Sequence, residues 1–237
     1  VAYGGKQLVF TKLKRMNKET LSTLSRKYLM ALTGLFLCFF LVIHLAGNFQ
    51  LFLPEAQARE SFNGYSKLLS GNIFIKAVSY ILYASIIIHS IDALLITLFN
   101  RKKAGKYEYD KRGTVSKWYS RNMGVLGTVI LIFLIFHFKD FWYQYKFGTL
   151  PVDSAGNKDL YEIVIRAYGD LWYVLFYVLA MFALGYHLLH GFYSAARTIG
   201  IYHPRYVAFI RVFGTWYSYI ITFGFAAIPL YIYFTHY

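Results

Sequence analysis

The chain is short of cysteine, of acid and of polar breaks in its apolar runs. Its one cysteine, Cys38, lies inside an apolar stretch. That excludes an intramolecular disulfide, a thiolate metal cluster and a C-x-x-C-H haem attachment within this sequence, so any iron–sulfur chemistry belongs to a partner. Charged residues make up only 15% of the 237 residues, too few for an ordinary soluble chain of this length. The apolar runs are continuous rather than alternating, which argues against the strands of a membrane β-barrel. The basic first 27 residues lack a short apolar core followed by a small-residue cleavage site, so no removed leader is expected. Neither an internal repeat nor a low-complexity tract is present.

What is abundant points one way. Hydrophobic residues reach 57% and aromatics 21%. Five segments approach or exceed the roughly 20 apolar residues that a helix needs to cross a bilayer. They are 28–53, 73–99, 123–145, 171–196 and 215–235. The expected fold is all-α, a single integral membrane domain over 1–237 built as a bundle of five transmembrane helices.

The net charge is +14, and nearly all the basic residues lie outside these spans. Seven Lys/Arg precede the first span, eight lie between Arg101 and Arg121, and three between Arg197 and Arg211. The connection 54–72 has only Arg59 and Lys67, and 146–170 sets Lys146, Lys158 and Arg166 against four acids. The positive-inside rule then places the N-terminus in the cytoplasm and, after five crossings, the C-terminus outside. Tyr and Trp crowd the span ends as interfacial anchors. Orientation bias accounts for the basic inner face, so nucleic acid is not an expected partner; anionic lipid and a peripheral subunit are. Segment 146–170 reads as an ordinary outer loop or short surface helix.

Five of the seven histidines fall in spans: His44, His89, His137, His187 and His190. A lone membrane histidine has a bland explanation, a hydrogen bond to a carbonyl or polar neighbour. Four spans with one each are harder to explain that way. At 1.5 Å per residue, His44 and His137 lie roughly 24 and 21 Å from the inner starts of their spans, while His89 and His187 lie about 15 and 14 Å from their inner ends. The histidines therefore sort into an outer and an inner pair. Two imidazoles facing each other at one level can clamp a planar haem with both axial positions filled, which suits electron transfer. Small residues on the ligands' faces (Gly47, Ser85, Ala183 and Gly191) would let a ring approach; His137 has Phe133 and Leu134 instead. Zinc is the metal alternative, but its ligands converge on one point, often with a carboxylate. Spacing alone does not choose between His187 and His190. Asp92, three residues after His89, is an intramembrane carboxylate and so a functional candidate, or else half of an interfacial ion pair.

The strings SRKYLMALTGLFLCFFLVIHLAGNFQLF, IHSIDAL, FHFKDFW and YHLLHGFYSAARTIG resemble the membrane cytochrome b subunit of succinate dehydrogenases and fumarate reductases, in its five-span, two-haem bacterial form. The likeness runs from about Ser22 to Gly200. It implies two b haems, with axial ligands His44 and His137 for the outer and His89 and His187 for the inner. The family pattern of a ligand His, three residues, then Gly and an aromatic pair fits His187, Gly191, Phe192 and Tyr193. His190 would then face a propionate or a water. It further implies a flavoprotein with FAD and an iron–sulfur subunit docked on the cytoplasmic face of a bacterial inner membrane. Some two-haem members carry a glutamate two residues before the last ligand for a proton path; here that residue is Gly185.

On that reading the chain anchors its partners and passes electrons between a quinone, with menaquinone the expected kind, and the partner's clusters. This places it in the respiratory chain and the tricarboxylic acid cycle. The dicarboxylate chemistry lies in the flavoprotein. Arg26, Trp118, Arg197 and His190 are candidates for propionate contacts. Glu55 or Glu60 could serve an outer quinone site, and Ser22 with Arg26 an inner one. Two rival readings remain: the two-haem subunit of another oxidoreductase such as nitrate reductase, and a haem-free transporter or scaffold using its histidines as a proton relay.

Overall fold

A computed structural model describes the backbone of residues 3–104, 117–201 and 203–237, and the side chains of 24–99, 117–201 and 203–237. The first helix, α1, is continuous over Tyr3–Asn48 and runs on through a 3₁₀ turn at Phe49–Phe52. Pro54 starts a second helix, α2 (Glu55–Gly71), whose buried Ala58, Phe62 and Asn63 share one face. In the sequence this stretch reads only as a connection between spans, because the apolar face of the helix is a few residues wide. Asn72 then caps α3 (Ile73–Ala104): its Oδ1 accepts the N–H groups of Phe74 at 2.8 Å and Ile75 at 3.3 Å.

After a single turn, α4 (Trp118–Arg121), the third crossing starts as α5 (Met123–His137). It continues through a π-helical turn at Phe138–Tyr143 into α6 (Gln144–Phe147). A short helix, α7 (Leu160–Ala167), has Asp159 as its N-cap, accepting the Glu162 N–H at 3.1 Å. Asp170 caps α8 (Leu171–Thr198) in the same way, accepting from Trp172 at 2.7 Å. Gly200, at φ +84°, follows its end; only glycine adopts that backbone without strain. The last helix, α9, covers Val207–His236.

Five helical stretches are long and apolar enough to cross a membrane: Leu24–Phe52, Ile73–Phe99, Met123–Phe147, Leu171–Thr198 and Val207–His236. All five match the segments read from the sequence. The fifth helix starts eight residues earlier than expected, because Arg211 lowers local hydropathy without interrupting the helix: its guanidinium lies over the Tyr193 ring, 5.4 Å from the centroid.

The packing of these helices places the site. Helix α1 packs against α3 and α8, and α5 packs against α3 and α8, so the four form a closed ring. Helices α1 and α5 therefore face each other across one diagonal, and α3 and α8 across the other. Helix α9 lies outside the ring against α8 and α1, while α2 and α7 pack together as a cap on the end away from the N-terminus, called outer after the orientation expected from the charge bias.

Candidate functional site

The diagonals carry the histidines. His44 on α1 meets His137 on α5 with ring centroids 5.8 Å apart and planes at 79°. His89 on α3 meets His187 on α8 at 6.2 Å and 65°. A Cβ built at Gly34 would lie 3.3 Å from His89 Cε1, and one at Gly127 would lie 4.0 Å from His187 Cε1. Gly34 precedes His44 by ten residues and Gly127 precedes His137 by ten. On α8, Tyr177, whose ring centroid is 6.4 Å from that of His137, precedes His187 by ten. Ten helical residues rise ~15 Å, so three helices give the same spacing between the two levels.

The levels differ in their surroundings. At the outer one Phe40 stacks on His44 at 5.2 Å and Phe225 approaches it at 5.4 Å. Phe133 stacks on His137 at 5.5 Å, with Phe141 at 5.3 Å. The inner level is more polar. Thr33 Oγ1 lies 3.1 Å from His89 Nδ1 and 2.8 Å from the Leu29 carbonyl. With the hydroxyl proton given to that carbonyl, His89 Nδ1–H is the donor to Oγ1, and Nε2 keeps its lone pair. Asp92 is 5% exposed, and its Oδ2 is buried with no hydrogen-bond partner. The Nδ1 atoms of His137 and His187 are buried and unpartnered too.

The pairs can be tested against the group they are expected to hold. Metal–imidazole bonds of ~2.0 Å, with the ring centre ~1.1 Å beyond the nitrogen, separate two opposed imidazole centroids by about 6.2 Å. The observed 5.8 and 6.2 Å fit. Among the described residues no third His, Cys, Asp or Glu joins either pair to form a metal-binding group. That donor set suits an iron whose equatorial ligands come with a porphyrin, and it fits four-coordinate zinc poorly.

The remaining sequence candidates are scattered. Ser120 Oγ lies 2.8 Å from Nδ1 of His190. Trp118 is exposed and meets Tyr186 edge-on at 6.1 Å. Arg26 is exposed, and Arg197 lies over the Tyr193 ring, 5.9 Å from its centroid. Glu55 pairs with Arg59 at 3.5 Å, and Glu60 is exposed on α2. The Ser22 side chain lies outside the described residues. Gly47, expected to make room for a ring, instead makes room for α2: a Cβ there would lie 2.5 Å from Tyr65 Cε1. Gly34 and Gly127 are the glycines that face imidazoles.

Sequence reasoning missed a polar knot in the outer cap. Arg59 binds the carboxylates of Asp159 and Glu162 and lies over the Tyr161 ring. Asn63, fully buried, donates to Asp153 at 3.1 Å and Asp159 at 2.9 Å, and accepts the Tyr161 N–H at 2.9 Å. Partial burial would lower the Arg59 pKa, but its hydrogen bonds to Glu162 and Asp159 raise it. Hydrogen bonds from Arg166 and Arg59 hold the Glu162 carboxyl below its ordinary range. Burial alone would raise Asp153, yet bonds from Asn157, Asn63 and Ala155 bring it below the ordinary value. No local signal marks this knot, since Arg59 and Asp159 are a hundred residues apart.

It missed a second polar chain as well. Tyr173 O–H donates to Asp140 Oδ2 at 2.8 Å, and the Tyr177 hydroxyl lies 3.0 Å from that of Tyr173.

Fold and site together define an all-α, multi-pass membrane protein with two diagonal imidazole pairs. No family model, curated protein or solved structure matches the chain.

Proposed function

We propose that this chain is the membrane cytochrome b subunit of a succinate:quinone oxidoreductase or quinol:fumarate reductase. The observation that carries the reading is the meeting of four histidines as two diagonal pairs, one ~15 Å above the other. His44 and His137 would hold the outer haem b, and His89 and His187 the inner. A bis-histidine haem supplies reversible one-electron transfer with no open position for oxygen. The chain's own contribution is placement. Phe40, Phe133, Phe141 and Phe225 exclude water from the outer level, and Thr33 orients His89 at the inner one.

The partners follow from the resemblance and from the charge bias: an iron–sulfur subunit and an FAD flavoprotein on the basic inner face, and a quinone in the bilayer. The membrane is then a bacterial cytoplasmic membrane, with the N-terminus inside and the C-terminus outside. The test is a reduced-minus-oxidised spectrum of the purified complex with haem counted per chain, together with identification of the flavoprotein that co-purifies. Two haems and a succinate-oxidising flavoprotein support the reading. No Soret band would end it, and a molybdenum partner would move it to the nitrate reductase type.

A further inference from the structure

At the outer end of the third crossing the helix widens into the π turn Phe138–Tyr143, which presents Asp140 to a cavity of about 550 Å³. The cavity is lined by Asp140, Gln144, Leu150, Glu162, Arg166 and Tyr173, among others. Isolated π turns within α-helices concentrate at functional sites. From Asp140 the chain of hydroxyls leads inward: Tyr173 donates to the carboxylate, so its oxygen accepts the Tyr177 proton. Tyr177 is 4% exposed, and its ring lies against those of His137 and Phe133. A carboxylate open to outer water is thus joined, through two hydroxyls that both point their protons outward, to the wall of the outer imidazole pair. Tyrosines serving only as interfacial anchors have no need of a shared carboxylate.

We propose that Asp140 is a redox-linked proton site of the outer level. It takes one proton from the cavity water as one electron, supplied by a quinol, arrives between His44 and His137. The proton returns to the water when the electron leaves, so the net charge of this dry region stays constant. Tyr173 and Tyr177 carry the change between the two places. The inference rests on the haem reading above. The charged and titratable groups around Asp140 are Lys139, whose Nζ is 3.4 Å from Oδ1, Tyr173 and Tyr177 on α8, Glu162 and Arg166 on α7, Asp170 at the start of α8, and Tyr168 between α7 and α8. Lys139 is exposed, whereas the hydroxyl chain leads inward from the carboxylate.

The experiment is a spectroelectrochemical titration of both haems in the intact complex over a pH series. In the unmodified protein the midpoint of one haem should fall as pH rises, by up to ~59 mV per tenfold change in proton activity for a one-electron couple. Asp140→Asn should flatten that slope and leave the other haem alone. Asp170→Asn alters the same cavity, keeps a capping side chain and should preserve the slope. If Asp140→Asn prevents assembly, Tyr177→Phe serves instead and should weaken the slope. A slope that persists in Asp140→Asn or is undiminished in Tyr177→Phe, or one lost equally in Asp170→Asn, overturns the proposal. Absence of haem from the unmodified complex would instead defeat the functional reading beneath it.

Discussion

Helices α8 and α9 meet through small residues that let their backbones close, whereas α1, α3, α5 and α8 meet around imidazoles. In the seam a Cβ at Gly185 would collide with Thr222 Oγ1, and one at Gly214 would lie 2.7 Å from Phe192 Cδ1. Ser218 and Thr222 turn their hydroxyls back to the carbonyls of Gly214 and Ser218, at 2.7 and 2.6 Å, which removes polar groups from the interface. The most apolar windows of α8 and α9 are 33% and 39% buried, against 17% for α1 and α3 and 11% for α5. The seam is held by packing, with the Arg211 guanidinium donating to the Tyr193 hydroxyl at 3.1 Å near one end. Of the helices that carry the diagonals, α1, α3 and α5 are less tightly packed, so substitutions in the two regions should fail in different ways.

The largest effect should come from the diagonals. On the haem reading proposed above, alanine at His44 or His137 should remove the same haem and leave the other, while alanine at His89 or His187 does the reverse. Haem counting and the reduced spectrum of each variant check this. If His44→Ala and His89→Ala removed the same haem, the pairing would be wrong.

The seam comes next. Gly185→Val should destabilise by about 1–3 kcal/mol through overpacking against Thr222. Gly191→Ala, six residues on along the same helix, meets nothing within 4 Å and should be close to neutral. Thermal melting of the solubilised complex distinguishes them. Equal melting temperatures would mean that the seam is not tight.

Arg59→Ala should loosen the outer cap by ~2 kcal/mol, less than the ~3–5 kcal/mol of a fully buried pair because Arg59 is 30% exposed. The cap should also weaken in acid. Asp153 and Glu162 have folded pKa values below their ordinary ones, so their contribution is complete above the ordinary carboxylate range. It is lost as pH falls through the folded values. Hydrogen exchange of α2 and α7 amides against pH measures both effects, and the acid response should shrink in the variant. Smallest of all, Tyr217→Phe deletes the bond to the Cys38 carbonyl at 2.8 Å that ties α9 to α1, and should cost ~1 kcal/mol in the same melts.

The spans and the pairing of histidines were legible because hydropathy and depth are one-dimensional in a bilayer: counting residues from a span end gives a height. Which residues share that height across the bundle is harder to see. Gly34 and Gly127 went unnoticed, although each stands ten residues before a ligand-type histidine, and that shared offset was the available signal. Gly47 was assigned to the imidazoles because it shares a face with His44, yet its neighbour is Tyr65 on α2, a helix the hydropathy pattern concealed. The Arg59 knot and the Asp140 chain join residues far apart in sequence, where periodicity says nothing. Gly185 was noted for lacking a glutamate; the structure supplies the physical reason, since Thr222 takes the space such a side chain would need.

The π turn at Phe138–Tyr143 also makes the outer third of this crossing a one-residue insertion in an otherwise α-helical rod. Because the widened turn absorbs the extra residue, side chains beyond it keep the phase of an uninterrupted α-helix one residue shorter, and only the residues of the turn itself are displaced. Deleting Lys139 would remake the turn that carries Asp140 while His137, upstream of it, would stay in place. A one-residue deletion in this turn would therefore change the setting of Asp140 without moving His137.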